Sequence, residues 1–448
     1  EQRLQDVSMK VGVVSLGCVK NRVDTEEMLS FLQKDGFTFV TDPRQAQVLV
    51  VNTCGFIASA KEESIDSILE MARYKQTGQC RVLCVTGCLA QRYGRELLDQ
   101  IPEIDVLTGV SQYPALAGYI REALAGRRGG SIQRGKDFVG AGRVLSTAPY
   151  TAYVRISEGC DNRCAYCAIP LIRGPYRSRP QAAILEEMNR LAQQGVKEQI
   201  LIAQDTSRYG TDLKGASLAG LLEAAARIPG IAWLRVLYCY PDTTDRALID
   251  AMAANPKVCP YLDLPLQHAS PAILKRMNRR GDIHQAERVL SYARGLGFAL
   301  RTTMIVGFPG ESEADFRELM SFCARMRFDR LGAFTFSKEE DTPAYSMKGH
   351  LPERIKQERL DALMRQQQEI SRKRNESRLG SLETVLVTGV HGGMAYGRSA
   401  WEAPDSDGLI AFPNPRGQAR EGDFVRVRMT GAQDYDLQAC LIKEDKTP

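Results

Sequence analysis

The first third of the chain alternates between short apolar runs and longer segments with helical periodicity. The apolar runs are rich in β-branched residues and indicate buried strands, at KVGVVSLGC (10–18), AQVLVVNTC (46–54) and CRVLCVTGC (80–88). Amphipathic helices are indicated between them, at TEEMLSFLQKDG (25–36) and SAKEESIDSILEMARYKQ (59–76). Alternating strands and helices favour a parallel sheet with helices on its faces, which predicts an α/β domain over residues 9–125.

A second alternating pattern begins at Thr151. It indicates six strands, at TAYVRIS (151–157), EQILIAQD (198–205), AWLRVLYC (232–239), YLDLPLQ (261–267), ALRTTMIVGF (299–308) and RLGAFTF (330–336). Helical segments follow them, at 181–195, 216–228, 243–254, 270–279, 284–296 and 312–326. Six such units predict an open (β/α)6 partial barrel over residues 151–375. The charged amphipathic segment 352–379 predicts a long helix that packs across this barrel or joins it to the next unit.

Two further regions complete the predicted organisation. Residues 126–150 are rich in glycine and basic residues and lack periodicity, which predicts a linker. After Gly380, short strands punctuated by Gly, Pro and Asp predict a small all-β barrel near the oligonucleotide-binding type over residues 378–446. The predicted fold class is therefore α/β, with a parallel sheet domain, an open partial barrel and a terminal β-barrel.

Composition narrows the class of protein. Hydrophobic residues make up 44% of the 448 positions and charged residues 25%, and no apolar run approaches the ~18 residues of a membrane span. No apolar signal core opens the chain, and Met9 is an expected natural start, so we expect a cytoplasmic protein without a membrane role. Twelve cysteines in a reducing compartment favour metal or redox use over disulfides. A net charge of +5 is too small to indicate a nucleic-acid partner by itself.

Three cysteines fall within the eight residues from Cys160 to Cys167, with Cys164 between them. They follow the first predicted barrel strand, where the loops of such barrels form active sites. Thiolates in a compact loop suit iron–sulfur clusters, and three of them leave one iron of a four-iron cluster open. The alternative is a zinc knuckle with a distant fourth ligand, which the absence of a nearby fourth Cys or His disfavours.

This cysteine spacing resembles the signature of the radical S-adenosylmethionine enzymes. The resemblance implies that the methionine amino and carboxylate groups of the cofactor chelate the open iron. It also implies that electron transfer from the cluster generates a 5′-deoxyadenosyl radical. Residues at later strand ends are then expected to bind the cofactor: Tyr166, Gln204, Asp205, Gln267, Met304 and Gly307.

Each predicted strand of the first domain ends in a cysteine, at Cys18, Cys54 and Cys88. Carboxyl ends of parallel strands meet at one edge of a sheet, so these thiols are expected to converge. The alternative is three separate buried cysteines, which are common in protein cores. We expect core positions for Cys84, which lies inside a strand, and Cys80, and structural roles for Cys239, Cys259, Cys323 and Cys440.

The motifs SLGC, NTCG and TGCLAQR, followed by the radical cysteine motif and a small β-barrel, resemble the methylthiotransferases. The likeness implies that Cys18, Cys54 and Cys88 hold a second four-iron cluster that delivers sulfur. It implies that S-adenosylmethionine serves both as methyl donor and as radical source, and that the terminal barrel is a TRAM domain. Val19 replaces the proline usual after SLGC, but it is not expected to be a ligand. No motif identifies the sulfur source or the electron donor.

Two branches of that family are possible. One modifies an adenosine of transfer RNA, N6-isopentenyladenosine or threonylcarbamoyladenosine, and the other the β-carbon of an aspartate in a small-subunit ribosomal protein of the S12 type. The segments AIPLIRGPYRSRP (168–180), AQDT (203–206) and PLQHAS (265–270) resemble the second branch. Residues 381–448 carry seven basic and ten acidic side chains, a net charge of −3, which suits a basic protein better than a phosphate backbone. The prediction is a protein substrate, with the transfer RNA as alternative.

Several polar and aromatic residues near the cysteine loop have two interpretations each. Arg173, Arg177 and Arg179 either steer an acidic group or solvate the surface. His268 either faces the pocket or is structural. Tyr166, Tyr176 and Tyr209 either wall the cofactor site or pack in the core.

Overall fold

The computed structural model describes residues 9–135, 138 and 142–442. Outside this range lie residues 1–8, parts of the predicted linker (136–137 and 139–141) and the last predicted barrel residues (443–446). The helices and strands form three units along the chain, as the sequence predicts.

The first unit is a parallel six-stranded sheet in the order β2-β1-β3-β4-β5-β6. Its strands are β1 (Lys10–Ser15), β2 (Thr38–Phe39), β3 (Val48–Thr53), β4 (Val82–Gly87), β5 (Val106–Thr108) and β6 (Gly129–Ser131). Its helices are α1 (Val19–Lys34), α2 (Ala58–Ala72), α3 (Tyr74–Thr77), α4 (Cys88–Gln100) and α5 (Leu116–Leu124).

Apolar cores cover both faces of this sheet. On β3, Leu49 and Val51 pack in one core, and Val48 and Val50 pack in the other. This two-sided burial explains why the strands read as continuous apolar runs rather than as alternating patterns. Cys84 lies fully buried in the second core, as predicted.

Strand β6 lies inside the segment predicted as a linker. Its sequence is Gly129-Gly130-Ser131, which has no apolar signal. A Cβ at Gly130 would lie 1.9 Å from the carbonyl oxygen of Leu107. The backbone of this edge strand therefore packs too closely on β5 for a side chain, and sequence periodicity does not reveal it.

The second unit is the expected partial barrel. Six parallel strands follow one another in space: β7 (Thr151–Arg155), β10 (Glu198–Ile202), β11 (Trp233–Val236), β12 (Tyr261–Asp263), β13 (Ala299–Val306) and β14 (Arg330–Thr335). Helices cover them: α7 (Gln181–Gln193), α8 (Leu218–Ala226), α9 (Arg246–Ala253), α10 (Pro271–Arg276), α11 (Ile283–Gly295) and α12 (Glu313–Met326). After β7 the chain forms a small hairpin and a short helix, β8 (Ser157–Glu158), α6 (Ile169–Arg173) and β9 (Arg177–Ser178).

The third unit is a closed five-stranded barrel in the order β15-β16-β17-β19-β18. Its strands are β15 (Leu382–His391), β16 (Met394–Ser399), β17 (Ile410–Pro413), β18 (Phe424–Ala432) and β19 (Leu437–Leu441). Helix α13 (Glu353–Glu376) leads into it and fulfils both predicted roles. Gln367 donates to the carbonyl oxygen of Phe328 in the partial barrel, and Asn375 donates to that of Gln433.

A buried ion cluster fastens the terminal barrel to the partial barrel. Glu198 at the start of β10 accepts from Arg235 at 3.1 Å and from Arg398 of β16 at 2.6 Å. The loop after β16 also reaches the strands, since Tyr153 donates to Asp405 at 3.0 Å and Tyr261 to Asp407 at 2.6 Å.

A second set of polar contacts fastens the first unit to the partial barrel. The Glu339 carboxylate, in the loop after β14, lies 2.9 Å from Lys61 of α2 and 3.0 Å from Arg92 of α4. Tyr93 donates to Glu340 at 3.0 Å. The strand ends of the first sheet are thereby held over those of the barrel.

None of the helices in the described ranges is both long and apolar enough to cross a lipid bilayer.

Candidate functional site: two cysteine triads

The loop from Cys160 to Cys167 leaves the barrel at the end of β8. Gly159 has φ +76°, and a Cβ there would lie 2.0 Å from the carbonyl oxygen of Pro175, so only glycine fits this approach. The Cys160 amide donates to the carbonyl of Gly174 at 3.1 Å, and the Cys167 amide to that of Cys164 at 3.0 Å. The loop is therefore held by its own backbone and by the turn that follows α6.

Arginine and tyrosine side chains surround the middle cysteine. Arg279 Nη1 lies 3.5 Å from Cys164 Sγ, and the Tyr240 hydroxyl lies 3.6 Å from the same sulfur. The Arg279 guanidinium carbon is 4.0 Å from the centre of the Tyr240 ring. An arginine packed on an aromatic face therefore lies directly beside this sulfur.

The three thiols of this loop share one environment. Burial raises the pKa of Cys160 to about 11, and Cys164 is among the groups that raise it further. Burial likewise raises the pKa of Cys167, with Cys164 and Cys160 adding to the effect. For Cys160 and Cys167 the protonated thiol is therefore favoured without a metal, and binding iron must displace those protons.

The other triad forms at the edge of the first sheet, as its strand ends predict. Cys18 caps α1, Cys54 follows β3, and Cys88 begins α4. A Cβ added at Gly17 would lie 3.1 Å from Cys54 Sγ, and one added at Gly55 would lie 2.8 Å from the Leu89 Cα. The three cysteine-bearing segments are thus in close contact with one another.

Electrostatics also connects these three thiols. Burial raises the pKa of Cys54 and, to about 12, that of Cys88, and for both thiols Cys18 adds to the rise. Arg173 opposes this effect, because its Nη2 lies 3.4 Å from Cys88 Sγ.

Arg173 connects the two triads. It ends α6, which begins two residues after Cys167. Its guanidinium is 2% exposed and lies 2.7 Å from Asp24 of α1 and 3.5 Å from Glu158. The loop of one triad therefore supplies a cation to the other, which excludes a mainly solvating role for this arginine.

Each triad offers three cysteine thiols, the donor type that holds iron–sulfur clusters. Within residues 9–135, 138 and 142–442, no three His, Cys, Asp or Glu side chains are grouped so as to hold one metal ion. A structural zinc site needs its ligands converged on a single atom. A four-iron cluster interposes its own irons and sulfides between the protein thiolates, so its ligands need not converge on one atom.

Three of the residues expected to bind the cofactor lie beside the cysteine loop. Tyr166 has its hydroxyl 3.4 Å from Arg279. Gln204 donates to Glu158 at 3.0 Å and keeps a buried amide oxygen without a hydrogen bond. Asp205 accepts from Asn162 at 2.9 Å, so it supports the cysteine loop directly. Their contact with S-adenosylmethionine stays a prediction.

The other three lie at the ends of β12 and β13. Gln267 has φ +75° and forms an isolated bridge with Met304, which is fully buried. The Gly307 amide donates to Glu311 at 2.7 Å, and a Cβ there would lie 2.4 Å from Lys356 Cγ. These contacts explain a tight turn, and a role in binding adenosine also stays a prediction.

Structural contacts explain the positions of several residues for which the sequence allowed either a structural role or a role in the pocket. His268 is fully buried, and its Nδ1 accepts from the Ser270 amide. Arg179 pairs with Glu187 at 2.7 Å, and Tyr209 donates to the Arg179 carbonyl at 3.0 Å.

The sequence patterns did not indicate several side chains of the site, among them Lys20, Glu158 and Arg279. Lys20 and Glu158 each lie two positions from a cysteine of a triad, which is a usable signal. Arg279 is more than a hundred residues from Cys164, and no local pattern points to it.

Family models match all three units. They are Uncharacterized protein family UPF0004 at residues 10–109, the Radical SAM superfamily at residues 154–323 and the TRAM domain at residues 379–442. The fold also resembles a radical S-adenosylmethionine methyltransferase, TsrM from Kitasatospora setae, with a TM-score of 0.55, 16% identity, and coverage of 75% of this chain and 74% of that one. The cobalamin-dependent radical enzyme OxsB gives a TM-score of 0.51 at 13% identity, covering 81% of this chain and 56% of that one.

Sequence relatives match over nearly their whole length. The ribosomal protein uS12 methylthiotransferase RimO of Desulforudis audaxviator is 47% identical, covering 97% of both chains. That of Desulforamulus reducens is 49% identical, covering 96% of this chain and 99% of the relative. With the three units, the paired triads and this identity, the chain belongs to the methylthiotransferase family of radical S-adenosylmethionine enzymes.

Proposed function

We propose that this enzyme methylthiolates the β-carbon of an aspartate in ribosomal protein uS12, with S-adenosylmethionine as methyl donor and radical source. The observation that carries the proposal is the pair of cysteine triads joined by α6 and Arg173. The relatives that share 47% and 49% of its residues are named for uS12 methylthiotransfer.

We assign one four-iron cluster to each triad. Cys160, Cys164 and Cys167 would hold the cluster that binds S-adenosylmethionine, and Cys18, Cys54 and Cys88 the cluster that delivers sulfur. When bound, the cluster at Cys160, Cys164 and Cys167 would supply one-electron cleavage of S-adenosylmethionine. The cluster at the other triad would supply a transferable sulfur. The three-thiol sets suit this assignment because each leaves a position open.

The chain's own side chains prepare both sites. Arg279 and Tyr240 hold Cys164 from one side, and Arg173 holds Cys88. Asp205 keeps Asn162, inside the cysteine loop, in place. Because these groups are locked by buried contacts, little reorganisation is needed when the cofactors bind.

A protein substrate is favoured by the charge of the terminal barrel. Arg398 and Glu402 are both buried in ion pairs, so one charge of each sign is removed from the surface and the barrel keeps its net −3. Phosphate contacts dominate affinity for RNA, whereas an acidic surface attracts a basic ribosomal protein. We therefore propose that nucleic acid is not the primary partner. We also propose that the enzyme acts in the cytoplasm, where ribosomal proteins are available.

We also propose the division at 9–125, 126–150, 151–375 and 378–446 as the functional one, with β6 completing the first sheet from within the second segment.

The test is reconstitution under anaerobic conditions. About eight irons and eight sulfides per chain are expected, together with formation of 5′-deoxyadenosine and a methylthiolated aspartate in purified uS12. Bound zinc without labile sulfide would contradict the cluster assignment. Methylthiolation of transfer RNA in place of uS12 would overturn the substrate.

A further inference from the structure

Lys20 is a basic residue without an acidic partner, and it lies beside the triad of Cys18, Cys54 and Cys88. It lies in the first turn of α1, two residues after Cys18. Its Nζ is 3.5 Å from the centre of the Tyr238 ring. Among the described residues its ammonium has no hydrogen-bond or ion-pair partner, although its side chain is only partly exposed.

The acids that act on Lys20 are bound by other residues, and Asp263 Oδ1 is buried without a hydrogen bond. Burial lowers the pKa of the Lys20 ammonium, and Arg173 adds to this effect, whereas Cys18, Asp263 and Glu158 oppose it and favour the charged form. Asp263 accepts from the Tyr238 amide at 2.9 Å and lies 3.7 Å from Arg301. Glu158 accepts from Arg155 at 2.8 Å and from Gln204 at 3.0 Å. The charge of Lys20 is therefore available to a group that comes from outside.

Tyr238 holds the Lys20 ammonium near the strand ends of the partial barrel. It follows β11, at the strand ends where ligands bind in such folds. Its φ of +63° is unusual for a residue with a bulky side chain, and such conformations persist where the surroundings hold them. The hydrogen bond from the Tyr238 amide to Asp263 provides that support, and the face of the Tyr238 ring lies against Lys20.

We propose that Lys20 binds the side-chain carboxylate of the substrate aspartate. This inference rests on the proposed function, and it names the residue that orients the substrate. The carbon to be modified is bonded directly to that carboxylate, so an ammonium that grips the carboxylate also fixes the reacting C–H bond. A lysine suits this task because it presents a compact charge on a flexible stem, and the ring of Tyr238 holds the ammonium until substrate arrives.

The competing role for Lys20 is to balance the negative charge of a cluster bound at Cys18. The two roles differ in what a neutral side chain would change. Loss of a substrate contact leaves cluster content intact and misplaces the aspartate. Loss of charge balance lowers iron content or alters the cluster's spectrum and acts on every substrate alike.

The experiment compares reconstituted wild-type enzyme with Lys20→Met, Lys20→Arg and the control Lys34→Met, which removes an exposed lysine from the other end of α1. Substrates are purified uS12 and uS12 with its target aspartate replaced by asparagine. The measurements are iron and sulfide per chain, the electron paramagnetic resonance spectrum, kcat/KM, the ratio of 5′-deoxyadenosine to methylthiolated product, and the dissociation constants of both substrates.

For Lys20→Met we expect kcat/KM on uS12 to fall by roughly ten- to a hundredfold, the cost of a charge-assisted hydrogen bond. We also expect more 5′-deoxyadenosine per product, a smaller affinity difference between the two substrates, and unchanged iron and spectrum. Lys20→Arg should recover part of the activity, and Lys34→Met should match wild type.

Equal losses of affinity for the aspartate and asparagine substrates would overturn the proposal, as would a loss of iron or an altered spectrum in Lys20→Met. Full activity and coupling in Lys20→Met would also overturn it while leaving the proposed function intact. A wild-type enzyme that does not modify uS12 would instead contradict the proposed function, and the role of Lys20 with it.

Discussion

Replacing Glu198 by glutamine tests the ion cluster that holds the terminal barrel against the partial barrel. Glu198 and Arg235 are both fully buried, and Arg398 is 5% exposed at its side chain. Burial alone would favour the neutral acid, but Arg398 and then Arg235 lower the pKa of Glu198 to about 2. The carboxylate is thus charged in the folded protein.

The size of the effect follows from that pKa. A carboxyl whose pKa falls from 4.5 to about 2 on folding contributes roughly 3 kcal/mol to stability at neutral pH. Removing one partner of a buried pair costs about 3–5 kcal/mol, because the remaining charges are left uncompensated. For Glu198→Gln we therefore expect a loss of about 3–5 kcal/mol at this junction.

Fluorescence can follow this junction because both tryptophans of the chain lie there. Trp233 packs edge-on against Phe424, with ring centres 4.8 Å apart, and Trp401 lies 5.2 Å from the Arg378 guanidinium carbon. Urea unfolding at pH 7, followed by tryptophan emission, should show a lower midpoint for Glu198→Gln. The control Glu186→Gln removes an exposed pair with Arg190, worth about 0–1 kcal/mol, and should change the midpoint little.

The depressed pKa of Glu198 also predicts how the stability of this junction depends on pH. The folded pKa of Glu198 is depressed, so its stabilisation is complete above pH 4.5 and is lost as pH falls toward 2. Between pH 7 and pH 3 the junction should lose less stability in Glu198→Gln than in wild type. An unchanged urea midpoint, or an identical pH dependence in the two proteins, would show that Glu198 does not stabilise this junction as a buried carboxylate.

Other predictions concern the triads and the contacts between the units. Cys88→Ala should abolish methylthio transfer and retain 5′-deoxyadenosine formation; loss of both would contradict the separate role of its triad. Cys164→Ala should abolish 5′-deoxyadenosine formation, and its retention would count against this ligand. Glu339→Gln leaves Lys61 and Arg92 without their shared carboxylate, at a cost of about 1–3 kcal/mol, and should speed hydrogen exchange in α2 and α4; unchanged exchange would refute a fastening role.

Much of the fold follows from the sequence because local periodicity and packing agree. Buried strands such as β3 read as apolar runs, and the barrel helices keep an amphipathic face. Strand β6 was not predictable, since Gly130 enters the sheet through a close backbone approach and carries no side chain.

The part of the site that could be predicted is the part formed by residues of short sequence motifs. The cysteine spacing and the strand ends predict where the two triads lie, one at the edge of the first sheet and one in the loop after β8. The charged residues that connect them come from distant segments: Arg173 meets Asp24, and Arg279 meets Cys164. Such long-range pairs depend on how the units dock, and no local pattern encodes that.

The most direct test of the proposed activity is the mass of ribosomal protein uS12 from cells with and without this gene. We predict that the uS12 aspartate carries a methylthio group only when the gene is present, and that the wild-type gene restores it while Cys88→Ala does not. Unmodified uS12 in cells that contain the gene, or loss of methylthio groups from transfer RNA on its deletion, would contradict the assignment of a protein substrate.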